Sequence, residues 1–205
     1  MAFEIYNGVL TGSDTENGNT MIDKLAEMWD FDEVDTSSSL HYVRYGSNAK
    51  LMNNSLQLLA IAGSDGIGFM GYYSGATSYT IVKAANSILL TWKHDSAQYA
   101  VIIGDLRDGG KGIVGLTDSA FYSITEGAEA TTTHVTRNVT IPYRQTLEGT
   151  QLIDILSDSG CLVMENGYQV IAMPYNSSTA RIIKGEYSVN GQGYYIAGRA
   201  AIKEE

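Results

Sequence analysis

The feature that most constrains the fold is a pair of Asn-Gly dipeptides in the last third of the chain, each flanked by apolar residues. Residues 161–173 contain Asn166-Gly167, and residues 186–196 contain Asn190-Gly191. A two-residue type I′ turn needs φ > 0 at both central positions, which Asn and Gly adopt at little cost. This dipeptide is therefore the strongest short-range signal for a β-hairpin, and the sequence predicts two of them here.

Alternating apolar residues predict further strands upstream. Ile88, Leu90 and Trp92 lie on one face of a predicted strand, whereas residues 99–103 are apolar at every position, which is typical of a central strand covered on both sides. Further strands are predicted at 3–6, 40–45, 112–116, 120–125 and 129–141. The chain also has 22 glycines and 14 tyrosines but only two prolines, which favours turns and half-buried strands.

The predicted fold class is therefore mainly β, a sandwich or barrel-like arrangement of antiparallel hairpins with one or two N-terminal helices. An α+β fold is the second choice. Short strands with turn signals every 8 to 12 residues are the basis for the first choice.

One helix is predicted to begin at Thr20, after a polar loop over residues 11–19. Thr20-Met21-Ile22-Asp23 fits the capping-box pattern, in which a hydroxyl and a carboxylate bond the unpaired amides of the first turn. The apolar residues that follow recur at helical spacing and predict a face that docks on the β core or on another subunit. The candidate interface residues on this face are Met21, Leu25, Met28 and Trp29.

Three other segments bear on domain organisation. Residues 47–62 fit helical spacing through Leu51, Leu58 and Ala62, although residues 56–62 also suit a buried strand; helix is favoured. Residues 150–156 are predicted as a short helix. The glycine-rich stretch 63–75 is predicted as a connector between an N-terminal helix-containing attachment segment, 1–62, and a β-rich domain, 76–205, with a single domain as the alternative.

Composition disfavours several classes of function. The net charge is −10 and the Lys and Arg residues are scattered, so we expect no nucleic-acid partner. No apolar run reaches membrane-spanning length, so no membrane partner is expected, and the N-terminus lacks the pattern of a signal peptide, so synthesis in a bacterial cytoplasm is expected.

No catalytic, metal or cofactor-binding residues are predicted, and we expect a non-enzymatic protein without a cofactor. The three histidines lack the spacing of metal ligands. A Cys161–His134–Asp154 arrangement is conceivable, but Cys161 lies in an apolar strand run, and a buried thiol is the favoured interpretation.

Two stretches resemble a known class of protein. Residues 87–93 with 99–104, and residues 193–202, are similar to structural proteins of tailed bacteriophages of Gram-positive bacteria, especially small tail, neck or capsid-associated subunits. The resemblance implies a virion protein that forms a homo-oligomer and contacts other virion proteins. Thr133 and Val135, in the Thr-rich segment 129–141, are candidate interface residues because an exposed strand edge suits subunit contact.

Two alternatives stay open. The first is a carbohydrate- or receptor-binding phage module, in which exposed Tyr72, Tyr73, Tyr194 or Tyr195 acts as a stacking platform for a host surface glycan. The second is a cell-wall hydrolase, which no His or carboxylate motif in the sequence supports.

Overall fold

The computed structural model of the chain describes residues 3–47, 49–62, 66–94, 97–105, 111–116, 121–126, 133–139, 150–156, 159–164, 170–172, 184–189, 192–197 and 200–204. These residues form one helix and eighteen strands in three antiparallel sheets, which confirms the predicted mainly β class with a helix near the N-terminus. The elements are β1 Glu4–Val9, α1 Asp14–Met28, β2 Glu33–Asp35, β3 Tyr42–Arg44, β4 Ala49–Asn53, β5 Gln57–Ala62, β6 Gly66–Tyr72, β7 Ser78–Lys83, β8 Ser87–His94, β9 Ala97–Asp105, β10 Lys111–Leu116, β11 Phe121–Glu126, β12 Thr133–Val139, β13 Thr150–Leu156, β14 Ser159–Met164, β15 Val170–Ala172, β16 Lys184–Val189, β17 Gln192–Ala197 and β18 Ala200–Lys203.

Most strands pair with their sequence neighbours. A seven-stranded sheet has the order β1-β7-β8-β9-β10-β11-β12, a five-stranded sheet runs β2 to β6 in sequence, and a six-stranded sheet has the order β13-β14-β15-β18-β17-β16. Both predicted hairpins are confirmed, since β14 pairs with β15 and β16 pairs with β17. Their Asn-Gly turns lie outside the described residues.

The seven-stranded sheet forms the centre of the molecule because its middle strands are apolar on both faces. One face carries Ile81, Leu90 and Val101, which join a buried cluster with α1 and the five-stranded sheet. The opposite face carries Leu89 and Ile102, also buried, where β17 and β18 of the six-stranded sheet lie against β9 and β8. The prediction that residues 99–103 form a central strand covered on both sides is therefore confirmed.

Helix α1 begins six residues earlier than predicted. Ser13 is its N-cap: the Ser13 hydroxyl accepts the Glu16 N–H at 3.4 Å, and the Glu16 carboxylate accepts the Ser13 N–H at 2.8 Å. The predicted loop over 11–19 is thus wrong for residues 14–19. Thr20 is no cap, since its hydroxyl donates to the Glu16 carbonyl within the helix at 2.7 Å.

Both additional helix predictions are wrong. Residues 47–62 contain the β4–β5 hairpin, whose turn places Ser55 at φ 61°, and residues 150–156 form β13, which pairs with β14. In the predicted connector, β6 is a strand paired with β5. Among the described residues, no helix has the length and apolar character needed to cross a lipid bilayer.

Candidate binding surfaces

The predicted helix face packs inside its own chain. Met21 and Leu25 are fully buried and Met28 nearly so, in one cluster with residues of the β-sheets. Trp29 is half-buried, with its ring centroid 6.1 Å from that of Tyr45. The sequence predicts that this face docks on the β core or on another subunit, and in the structure it docks on the β core of its own chain. These four side chains are therefore not an open surface for another subunit.

The predicted edge residues lie on an edge strand. Thr133 and Val135 belong to β12, which ends the seven-stranded sheet and pairs on its inner side with β11. Their side chains are outside what the structure describes. The position of the backbone agrees with the expectation of a sheet edge in segment 129–141.

The other end of this sheet is β1, whose role as an edge cannot be read from the sequence because it depends on the topology. Leu10, just after β1, donates its N–H to the Thr77 carbonyl at 2.9 Å. Because hydrogen-bonding direction alternates along an antiparallel strand, the backbone groups of Ile5, Asn7 and Val9 are directed away from β7. We call these outward groups, with their side chains, the β1 edge.

The β1 edge exposes two apolar side chains and lacks the features that usually protect an edge. Val9 is 70% exposed and Ile5 is 37% exposed. Residues 5–9 contain neither proline nor charge, and the nearest charged residue of the strand, Glu4, pairs with Lys83 at 3.6 Å. An edge of this kind is able to add another strand.

Three of the four predicted stacking tyrosines are buried, so the prediction of exposed platforms is wrong for them. Tyr73, Tyr194 and Tyr195 lie in the interior, whereas Tyr72 is 46% exposed. Burial raises the pKa of the Tyr73 hydroxyl far above its ordinary value, and the hydroxyl donates to the Asn53 side chain. Burial likewise raises the pKa of Tyr195, and the charge of Glu186 adds to the effect.

Tyr72 belongs to a group of rings at the ends of β6, β8 and β9. Its ring centroid lies 6.4 Å from that of His94, which in turn lies 6.1 Å from that of Tyr99. Beneath them Trp92 stacks on Tyr99 at 5.7 Å with planes 10° apart, and its indole N–H donates to the Tyr72 carbonyl at 2.7 Å. We call Tyr72, His94 and Tyr99 the aromatic patch; the sequence pointed to Tyr72 alone, because His94 and Tyr99 reach it only through the sheet pairing.

A buried polar network joins α1 to the five-stranded sheet. Asn53 is fully buried, and its amide nitrogen donates to the Thr15 carbonyl at 2.9 Å and to the Asn19 side-chain oxygen at 2.7 Å. Its side-chain oxygen accepts from the Ser55 N–H at 2.9 Å and from the Tyr73 hydroxyl. All four bonds serve the fold, so Asn53 is a structural residue.

One ion pair connects the segment after α1 to the central sheet. The Lys111 ammonium lies 2.7 Å and 2.8 Å from the two Asp32 carboxylate oxygens and 4.6 Å from the centre of the Tyr45 ring. Partial burial raises the pKa of Asp32, but the bonds from Lys111 and from the Gly46 N–H outweigh it and hold the pKa below its ordinary value. The Asp32 carboxylate is therefore charged at neutral pH, and its bonds to Lys111 fix β10 against this segment.

The described residues contain no group of three or more His, Cys, Asp or Glu side chains placed to hold a metal ion. His41 is paired with a carboxylate, its Nδ1 lying 2.6 Å from Asp23 Oδ1. The strands that hold Cys161, His134 and Asp154 are β14, β12 and β13, and the side chains of these residues are outside the described part.

Comparison with known proteins gives no match to any family model, any curated protein or any solved structure.

Proposed function

We propose that the protein is a non-enzymatic structural subunit of a tailed-bacteriophage virion, which assembles with copies of itself and contacts neighbouring virion proteins. The observation that carries the proposal is the β1 edge. The resemblance of residues 87–93 with 99–104, and of residues 193–202, to phage structural proteins supplies the biological setting.

The chemistry of the β1 edge favours strand addition. The outward N–H and C=O groups of Ile5, Asn7 and Val9 are able to form a new ladder of hydrogen bonds, and the exposed Ile5 and Val9 side chains add apolar contact. Monomeric proteins protect such edges with charges, prolines or bulges, because an unprotected edge pairs with another chain. Use of the edge in assembly explains why it is unprotected here.

The two ends of the seven-stranded sheet suit a head-to-tail contact. Every neighbouring pair in this sheet is antiparallel, so β1 and β12, six steps apart, run in the same direction. A contact between β1 of one copy and β12 of the next would extend the sheet in parallel pairing, and repeated head-to-tail contacts close into a ring when the rotation allows. A β1–β1 contact would instead be antiparallel and would stop at a dimer.

The first prediction concerns this edge. We expect the purified protein to form a ring of three or more subunits, and we expect Val9→Lys to release monomers that keep the wild-type secondary structure and a single cooperative thermal transition, with a melting temperature lowered only by the loss of assembly. The lysine places a charge on the edge, whereas Val9 contributes little to the core because it is 70% exposed. Light scattering coupled to size exclusion, at several concentrations, measures the mass.

Leu56→Lys is the matched control. Leu56 is 49% exposed and lies in the turn between β4 and β5, away from any sheet edge, so this variant should assemble like the wild type. A wild-type protein that stays monomeric at high concentration, a dimer of β1–β1 type, or a Val9→Lys variant that assembles normally would contradict the proposal. Genes for portal, tape-measure or tail proteins beside its own are expected, and their absence would remove the virion setting.

A further inference from the structure

We propose that the aromatic patch binds a neutral carbohydrate, with a pyranose ring stacked on the exposed face of Tyr72. This site is separate from the β1 edge and does not depend on assembly. It gives the protein a binding activity in addition to a structural one.

The patch is held in place from beneath. Trp92 is 1% exposed, stacks on Tyr99, and bonds the Tyr72 carbonyl through its indole N–H at 2.7 Å. Tyr72 thus ends β6 in a position fixed by the core, and its ring projects to the surface beside His94. Because the main chain at Tyr72 is already held, a ligand that stacks on the ring restricts only the side-chain rotation of Tyr72.

The chemistry of these groups suits a sugar. A pyranose with equatorial substituents has a flat face of C–H groups and a rim of hydroxyls, so it needs an apolar surface bordered by donors and acceptors. Tyr72 supplies the apolar face, and its hydroxyl supplies a polar group at the border. The net charge of −10 disfavours an anionic glycan, which leaves neutral sugars as the matching class.

A second observation comes from β5. Gln57 lies directly opposite Tyr72 in the β5–β6 pairing, so both side chains lie on the same face of the sheet. The side-chain oxygen of Gln57 is buried and has no hydrogen-bond partner among the described residues. A buried acceptor without a partner is costly, and a rotation of the Gln57 side chain that brings this oxygen to a ligand hydroxyl on the same face would satisfy it.

The test uses cellotetraose and chitotetraose as probes, because both are neutral and have equatorially substituted rings. Saturation-transfer NMR and calorimetry on the purified full chain measure binding. We expect saturable binding of at least one probe, and about a fivefold or greater loss of affinity in Tyr72→Ala, the size expected when an aromatic stacking partner is removed. Tyr72→Phe should retain most of the affinity because it retains the ring.

Tyr6→Ala is the matched control, since Tyr6 is an exposed tyrosine on β1, with Lys24 over its ring at 4.4 Å, and should bind the probes like the wild type. Tyr72→Leu keeps an apolar side chain without a ring, so it replaces Tyr72→Ala if that variant does not fold, and it should lose affinity to the same degree. Absence of saturable binding for both probes, or an affinity unchanged in the folded Tyr72 variants without a ring, would overturn the proposal.

Discussion

At the scale of single residues, the contact between α1 and the five-stranded sheet depends on a buried polar side chain that is fully bonded. Asn53 is tolerated without exposure because four hydrogen bonds replace the water it loses. Gly18 makes this network possible, since a Cβ at that position would lie 2.3 Å from the Tyr73 hydroxyl and 2.4 Å from the Asn53 side-chain oxygen. No sequence pattern marks Asn53 or Gly18 as partners, because they meet only when β4 packs on α1.

The direction of the stability change in Gly18→Ala therefore tests this close approach. In a solvated helix the change would stabilise by about 1 kcal/mol, because alanine is the better helix former. Here we expect the opposite, a lower melting temperature and urea midpoint, since the new methyl group displaces Tyr73 or Asn53. Thr20→Ala, on the exposed side of the same helix, is the control with little expected effect. A Gly18→Ala variant more stable than the wild type would show that the close approach does not exist.

The tyrosines show that the exposure of a single side chain is hard to predict from the sequence. A run such as Tyr72-Tyr73 contains the same side chain twice, yet alternation along the chain turns one ring outward and the other into the core. Sequence composition identified tyrosine as a stacking residue but could not assign the face. Tyr194 and Tyr195 are both buried, so even alternation would not have excluded both.

At the scale of elements, the strongest local signals predicted the structure well. Alternating runs and Asn-Gly turns located β8, β9 and the hairpins β14–β15 and β16–β17. Residues 47–62 were harder because apolar positions three and four apart also occur in two short strands joined by a tight turn. The Asn53-Asn54-Ser55 turn, with Ser55 at positive φ, separates the two strands. Leu51 and Leu58 then face the core from neighbouring strands.

The sequence pattern also places the start of α1 too late along the chain. Ser13 and Glu16 form a capping box that is present in the sequence, but Asn17-Gly18-Asn19 has poor helix propensity and resembles a loop. Buried contacts of these three residues outweigh propensity: Asn17 bonds the Gly12 backbone, and Asn19 accepts from Asn53 and from the His41 N–H. Because helix propensity does not include those contacts, the sequence pattern places the helix start at Thr20.

The two boxes give a direct comparison between Ser13→Ala and Thr20→Ala. We expect Ser13→Ala to destabilise by about 1 kcal/mol, the usual effect of losing an N-cap side chain, and Thr20→Ala to have a smaller effect. Thermal or urea unfolding of both variants measures the difference. A larger effect for Thr20→Ala would place the helix start where the sequence alone suggested.

This comparison should also depend on pH. Hydrogen bonds from the Ser13 backbone and hydroxyl lower the pKa of Glu16. A carboxyl whose folded pKa is depressed stabilises above its unfolded pKa, and that contribution is lost as pH falls through the folded pKa. We therefore expect the difference in the free energy of unfolding between Ser13→Ala and the wild type to become smaller in acid, at pH values below the ordinary range of carboxyl pKa values.

At the scale of the whole molecule, one core joins the regions that the sequence divided at the glycine-rich stretch. β1 pairs with β7, and the buried cluster contains Met21 and Leu51 together with Ile81 and Ile103. The Asp32–Lys111 ion pair joins the same two regions at the surface. The glycine content of residues 63–75 predicts a boundary there. The shared core comes instead from pairing between distant segments, which no local sequence pattern encodes.

Fluorescence of the two tryptophans of the chain allows the shared core to be tested by unfolding. Trp29 is the C-cap residue of α1, and Trp92 lies in the central sheet. Trp92→Phe therefore leaves Trp29 as a fluorescent probe of residues 1–62, and Trp29→Phe leaves Trp92 as a probe of residues 76–205. We expect urea unfolding of each variant to have one midpoint, the same by fluorescence as by far-UV circular dichroism, because residues that share a core unfold together. Comparing probes within each variant removes the effect of the substitution itself. Separate fluorescence and dichroism midpoints within a variant would mean that residues 1–62 unfold on their own, as a segment attached to an independent β domain would.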